Sequence, residues 1–268
     1  MVSSSSARAA RERAKQLRAE QERKERRGKI ARRSILGAGC VTIVGGAAGL
    51  VFYERSQNKE GGGANGKSTS AVDYTKLDET TLKSKLANRK GVPKLVLVDG
   101  SLPFGKGPVP GTMNTGTKNV IEVVFDYACS HCAEFESVHA AELKSIIDTG
   151  KATVVLRPCK ILGSPWSDLA DSFMGTVLDR EPAKAWAMHT AIFAQLESAI
   201  KSGAQQYPGI DAIVSAANAV GLKADTITDA TNSAQTNAYE NWTKLGTTSF
   251  TNQKLAGTPT IFINGVNA

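Results

Sequence analysis

The chain has 268 residues, with 33 Lys/Arg against 25 Asp/Glu and four cysteines. That length allows one good-sized domain with appendages, and four cysteines are too few for a disulfide-stapled scaffold. The formal charge of +8 lies wholly in residues 1–33, which hold 12 Lys/Arg and 4 Asp/Glu, so the globular remainder is neutral; no aromatic residue is interleaved with those charges, which argues against nucleic acid as a partner.

In residues 1–33, spacings such as Glu20 to Lys24 and Glu22 to Arg26 suit a solvated helix with i,i+4 pairs. The segment has no clear apolar face, and it reads as a basic cytoplasmic tail, attractive to anionic lipid head groups. Ser34 to Tyr53 is a run of 20 residues without a charge. At about 1.5 Å per residue it spans about 30 Å, the thickness of a bilayer core. With the basic residues before it, the positive-inside rule predicts a single transmembrane helix at 34–53, with the N-terminus cytoplasmic and everything after it extracytoplasmic at the cell membrane. Other readings of the same run are a cleaved signal peptide, a twin-arginine export signal at Arg32-Arg33, and a lipoprotein cysteine at Cys40; the run lacks an A-x-A site, and too little apolar sequence precedes Cys40. Residues 54–72, rich in Gly, Ser, Asn and Lys, read as a flexible linker.

Residues 73–268 form the expected globular domain. Residues 73–91 pattern as a short polar helix, and Lys94–Val98 (KLVLV) as a first strand. Gly100 to Gly116 is rich in Gly and Pro and reads as loop. Asn119–Phe125 (NVIEVVF) is a buried-type strand. It runs directly into Phe125-Asp126-Tyr127-Ala128-Cys129-Ser130-His131-Cys132, and from Cys132 to Ile147 the residues Phe135, Val138, Leu143, Ile146 and Ile147 recur near helical spacing. Cys129 is therefore expected at the first turn of a helix, where unpaired N–H groups and the helix dipole favour thiolate. A thiolate is the attacking species in disulfide exchange, and Cys132 lies one turn on, within reach to close a ring. The same pair is also half of a zinc site, but Cys40, Cys159, His139 and His189 supply no second close pair.

Gly150 is placed to end that helix, and Ala152–Leu156 (ATVVL) is a second buried-type strand, giving a β–α–β order with a parallel pair. From Trp166 to about Leu245 the pattern is mostly helical, with helices expected around Leu169–Leu178, Trp186–Leu196, Ile210–Val220 and Ala224–Asn241. Pro259 then opens a strand through Ile263, and Asn264-Gly265 is a hairpin turn signal. Cys159 reads as a small packed residue, His189 as a satisfied core histidine and His139 as a surface or interhelical residue. The tryptophans at 166, 186 and 242 read as core.

With these pieces in order, FDYACSHC, the Ala185–Phe193 stretch and GTPTIFING, the chain resembles the DsbA-like thiol–disulfide oxidoreductases of the thioredoxin superfamily over about residues 95–268. The resemblance implies an α/β thioredoxin-like fold with an inserted helical domain at about 165–245. It implies an exposed nucleophile at Cys129, a buried resolving thiol at Cys132, and tuning by Ser130 and His131. It further implies a cis peptide bond at Pro259 and backbone bonds from Thr258 to an extended substrate. No cofactor or metal is implied. The implied partners are exported cysteine-containing proteins and a membrane quinone-linked reoxidising protein of the DsbB or VKOR type. The same residues run in reverse give a reductase or isomerase. A soft-metal-binding module on Cys129, Cys132 and His131 is a separate reading, as is a redox-inactive interaction domain. The chain departs from the family in two places. Some members carry an acid six positions before the first cysteine, where this chain has Val123. Glu122, one residue off, is expected on the other face of its strand, leaving a buried proton acceptor unassured. The fold also normally continues past the Thr-Pro strand with one more strand and a final helix, so another segment or further chain is expected to cover that edge.

Overall fold

The computed structural model describes residues 89–268. The transmembrane helix expected at 34–53, the linker at 54–72 and residues 73–88 of the expected polar helix lie outside the described residues. Among the described residues no helix is long and apolar enough to cross a membrane.

A five-stranded mixed sheet is built from β1 (Leu102–Phe104), β2 (Val120–Phe125), β3 (Thr153–Pro158), β4 (Thr260–Ile263) and β5 (Val266–Asn267), in the order β1-β3-β2-β4-β5. Strands β2 and β3 run parallel, with Val123 opposite Leu156; β1 flanks β3 and β4 flanks β2, both antiparallel. All six residues of β2 and all six of β3 are buried. A sheet covered on both faces needs largely apolar strands rather than alternating ones, and VIEVVF and TVVLRP supply them, interrupted by Glu122 and Arg157, which pair with each other.

The crossover from β2 to β3 is α1 (Ser130–Thr149). Cys129 is its N-cap, and Gly150 ends it in the left-handed conformation at φ 68°. A residue with no Cβ takes that conformation without steric cost, as the sequence anticipates. Leu143, Ile146 and Ile147 face the core, but Val138 is 64 % exposed; its place on the apolar face is corrected. Helices α2 (Pro165–Arg180), α3 (Ala185–Lys201), α4 (Ile210–Val220), α5 (Ala224–Gln235) and α6 (Glu240–Asn252) form the insertion between β3 and β4. Ser164 caps α2 through the N–H of Trp166, Pro165 follows, and Asp168 and Arg180 sit at the ends where the helix dipole favours them. Trp166, Trp186 and Trp242 are all buried, as expected.

Three expected elements differ. Lys94–Val98 makes turns, with Val96 and Leu97 buried in them, and the first strand is Leu102–Phe104 inside the expected loop. Its strand character comes from pairing with Leu156, Val155 and Val154, not from local propensity. The expected helix 224–241 stops at Gln235, and the chain restarts as α6 after Asn237 turns through φ 49°. Asn264 and Gly265 both have positive φ, 50° and 77°, and join β4 to β5 as a two-residue hairpin.

Glu122, one residue from Val123 and so on the other face of β2, is nevertheless buried. It is 1 % exposed and sits beside the fully buried Arg157, whose Nε donates to Glu122 Oε1 at 2.7 Å and whose guanidinium also pairs with Asp99 at 2.7 Å. Glu122 on β2 and Arg157 on β3 are diagonal neighbours on one face of the sheet.

Candidate active site

The site forms where β2 ends. Asp126 follows the strand and is fully buried. Its Oδ1 accepts from the N–H of Ala128 at 2.9 Å and from the Ser167 hydroxyl at 2.5 Å. Its Oδ2 accepts from the N–H groups of Ile161 and Leu162, at 2.8 and 3.0 Å. One carboxylate thus ties the loop before Cys129 to the segment after β3 and to α2. The Trp166 indole N–H adds a bond to the Tyr127 carbonyl at 3.0 Å. This rigid loop sets Cys129 at the helix N-cap, with φ −83° and ψ 119°.

Cys129 and Cys132 are both free thiols. The Cys132 N–H donates to Cys129 Sγ at 3.3 Å, and Cys129 Sγ lies 3.2 Å from the Thr258 carbonyl. The Cys129 thiol is lowered from 9.0 to about 6, chiefly by the hydrogen bond from the Cys132 thiol, against burial, and with help from Thr258 and the N–H groups of Cys132 and His131. Cys132 goes the other way. Burial first, then the hydrogen bond and charge of Cys129, push it far above the ordinary thiol range. One sulfur is thus a thiolate at neutral pH and its partner a thiol. Cys129 is only 5 % exposed, so the broadly exposed nucleophile implied by the resemblance is instead a sulfur recessed in a cleft.

That cleft has a volume of about 620 Å³. Cys129, Ser130, His131 and Thr258 line it together. The Thr258–Pro259 peptide bond is cis, and Pro259 is half-buried. Ser130 and His131 are exposed in the first turn of α1. The His131 ring is 79 % exposed and lies 3.8 Å from Glu134. Its backbone N–H helps to lower the Cys129 thiol.

Behind the thiols, Tyr127, His189, Phe125 and Phe193 pack as an aromatic cluster, with Tyr127 Oη 2.9 Å from His189 Nδ1. His189 is a core residue, but only its Nδ1 is bonded; Nε2 sits 3.3 Å from the buried Glu136 carboxylate without hydrogen-bond alignment. Cys159 is fully buried, its thiol pushed up by burial and by the carboxylates of Asp126 and Asp171. His139 is partly exposed beside Phe135 and Glu142, away from the cleft. Among the described residues no group of three or more His, Cys, Asp and Glu is placed to hold a metal ion. Sequence reasoning missed Asp126 and also Tyr207, which lines the cleft and whose hydroxyl donates to the Ala128 carbonyl. The first carried a signal: an Asp two residues before a backbone N–H in a strand-to-helix turn is an Asx-turn former.

A family model described as thioredoxin matches residues 108–268. The chain belongs to the thioredoxin family. Within that family the chain is similar to the MdbA protein of Actinomyces oris, a thiol–disulfide oxidoreductase, at 34 % identity over 68 % of this chain and 83 % of that one, with TM-score 0.61. It shares its fold with the MdbA proteins of Corynebacterium diphtheriae (15 % identity, 65 % of this chain and 86 % of that one, TM-score 0.52) and Corynebacterium matruchotii (14 %, 71 % and 92 %, TM-score 0.50). A comparison with curated proteins finds no match. This thioredoxin-family chain is a thiol–disulfide oxidoreductase of the DsbA and MdbA type.

Proposed function

We propose that this oxidoreductase donates a Cys129–Cys132 disulfide to exported proteins, from a domain tethered to the outer side of the cell membrane by residues 34–53. The observation that carries the direction is the asymmetry of the two sulfurs, Cys129 held to about 6 and Cys132 raised. A substrate thiolate attacks Cys129 Sγ in the oxidised enzyme. The Sγ–Sγ bond to Cys132 breaks, and Cys132 leaves with the electron pair and takes up a proton. A second substrate thiolate then attacks the substrate sulfur of the mixed disulfide, forming the product disulfide. Cys129 leaves as a thiolate, the form its surroundings stabilise, and a low-pKa sulfur is the better leaving group. Two electrons have passed to the enzyme, and a membrane quinone-linked partner of the DsbB or VKOR type removes them.

Thr258 offers its backbone to an extended substrate beside Cys129, and the cis Thr258–Pro259 bond presents it. Ser130 and His131 tune the thiolate, His131 adding positive charge when protonated. The extracytoplasmic placement rests on the uncharged run at 34–53 and the basic residues before it. The test is oxidation of a reduced two-cysteine peptide by the full chain with glutathione disulfide as terminal oxidant. Turnover by the native chain, its loss in Cys129→Ala, and a trapped peptide adduct in Cys132→Ala are expected. A native chain that forms no peptide disulfide contradicts donation.

A further inference from the structure

Between the end of α3 at Lys201 and the start of α4 at Ile210 the chain runs as a strap along the cleft. Its first part is held locally: the Ala204 N–H and the Ser202 hydroxyl both bond to the Ala199 carbonyl. Its far part is held across the cleft. The Tyr207 hydroxyl donates to the carbonyl of Ala128 at 3.2 Å. Ala128 is the residue before Cys129, buried, with its own N–H fixed by Asp126. The strap is therefore pinned to a backbone segment that Asp126 already holds, one residue from the reacting sulfur. Tyr207 itself is 49 % exposed, so its ring forms cleft wall rather than core.

Ile161, Leu162, Ile200 and Thr258 line the same cleft. Among the described residues lining the cleft, none is Asp, Glu, Lys or Arg. A charged side chain entering it loses water and meets no Asp, Glu, Lys or Arg of the described lining to pair with, whereas an apolar one gains from leaving water. We propose that Tyr207 is a specificity-determining residue: pinned to Ala128, it fixes the width of the cleft and selects peptides with an apolar residue next to the reacting cysteine. The inference rests on exchange at Cys129 as described above, but not on its direction.

The experiment measures single-turnover reduction of the oxidised full chain by matched peptides that carry Leu, Gly or Asp beside one cysteine, with dithiothreitol as a small-thiol control. Acid quenching and alkylation report the rate. The native chain is expected to react fastest with the Leu peptide and slowest with the Asp peptide. Tyr207→Ala is expected to reduce the Leu-to-Gly rate ratio about tenfold, the loss of one apolar contact surface, with the dithiothreitol rate unchanged. Tyr207→Phe keeps the wall but loses the pin, and is expected to raise the half-saturating Leu-peptide concentration about threefold with the limiting rate unchanged. An unchanged Leu-to-Gly ratio in Tyr207→Ala overturns the proposal. So does an equal loss for both peptides and dithiothreitol, which would make Tyr207 a support for Cys129. Because exchange is read in one turnover, a chain that discriminates between peptides but never turns over refutes donation and leaves Tyr207 in its role.

Discussion

The Cys132 main-chain N–H points at the sulfur of Cys129 from 3.3 Å, and the Cys132 thiol is the largest single influence holding Cys129 to about 6. In the reduced protein, thiolate absorbance near 240 nm is expected to titrate with a midpoint near pH 6, one sulfur per chain. Cys132→Ala removes the thiol donor but not the backbone N–H, so the midpoint should rise toward the ordinary thiol range without reaching it. His131→Ala also keeps its backbone N–H and should raise the midpoint by less. The sign for stability follows from linkage. A thiol whose folded pKa is depressed stabilises the folded reduced form fully above the unfolded value near 9, and that stability is lost as pH falls through about 6. The melting temperature of the reduced form, relative to the oxidised form, should therefore climb between pH 6 and 9.

Asp126 accepts from four donors on three segments. Truncating it leaves the buried N–H of Ala128, and the N–H groups of Ile161 and Leu162 at the cleft, without these partners. Asp126→Ala is expected to cost about 3 kcal/mol or more in urea unfolding, and Ser167→Ala about 1 kcal/mol. Equal stability of Asp126→Ala and the native chain would show that these bonds do not hold the loop.

Much of this site is legible in the sequence because its parts are local. A buried strand, a C-x-x-C at a strand-to-helix junction, an Asn-Gly turn and a Thr-Pro step each signal themselves within a few residues. The rest is not local. Leu102–Phe104 becomes a strand between Gly100 and Gly105 only because β3 offers it a partner. Glu122 looks like a misplaced acid until Arg157, from the neighbouring strand, meets it. The helix break at Asn237 has a local cause, since Asn tolerates positive φ, but helical periodicity on both sides masks it. Tyr207 has no local signal: its meaning is its bond to a carbonyl 79 residues away in sequence.

Gly246 brings α6 against the end of β3. A Cβ there would lie 1.7 Å from the Pro158 carbonyl oxygen, a backbone atom that no rotamer change can move. Gly246→Ala is therefore expected to destabilise the protein by about 2 kcal/mol or more, despite the better helix propensity of Ala. Denaturant midpoints measure this, and a neutral or stabilising result would mean that α6 packs less closely.

Asp171 is a buried acid whose Oδ1 has no hydrogen-bond partner among the described residues, and its carboxyl is pushed well above the ordinary range by burial and then by Asp126. For a raised acid the sign is opposite to that of Cys129. Stability is fully present below the unfolded value near 4 and is lost as pH rises toward the folded value. Asp171→Asn should raise the melting temperature at pH 7, and the gain should vanish below about pH 4. A variant less stable than the native chain at pH 7 would show that the charge is needed.

By holding Cys129 as a thiolate, the site stabilises the reduced pair and so makes its disulfide an oxidant. The reduction potential of Cys129–Cys132, measured by equilibrating the full chain with glutathione at pH 7, tests it most directly. A value toward about −120 mV is expected, at the oxidising end of the range for such pairs. A value near about −270 mV, where reducing members lie, would contradict it.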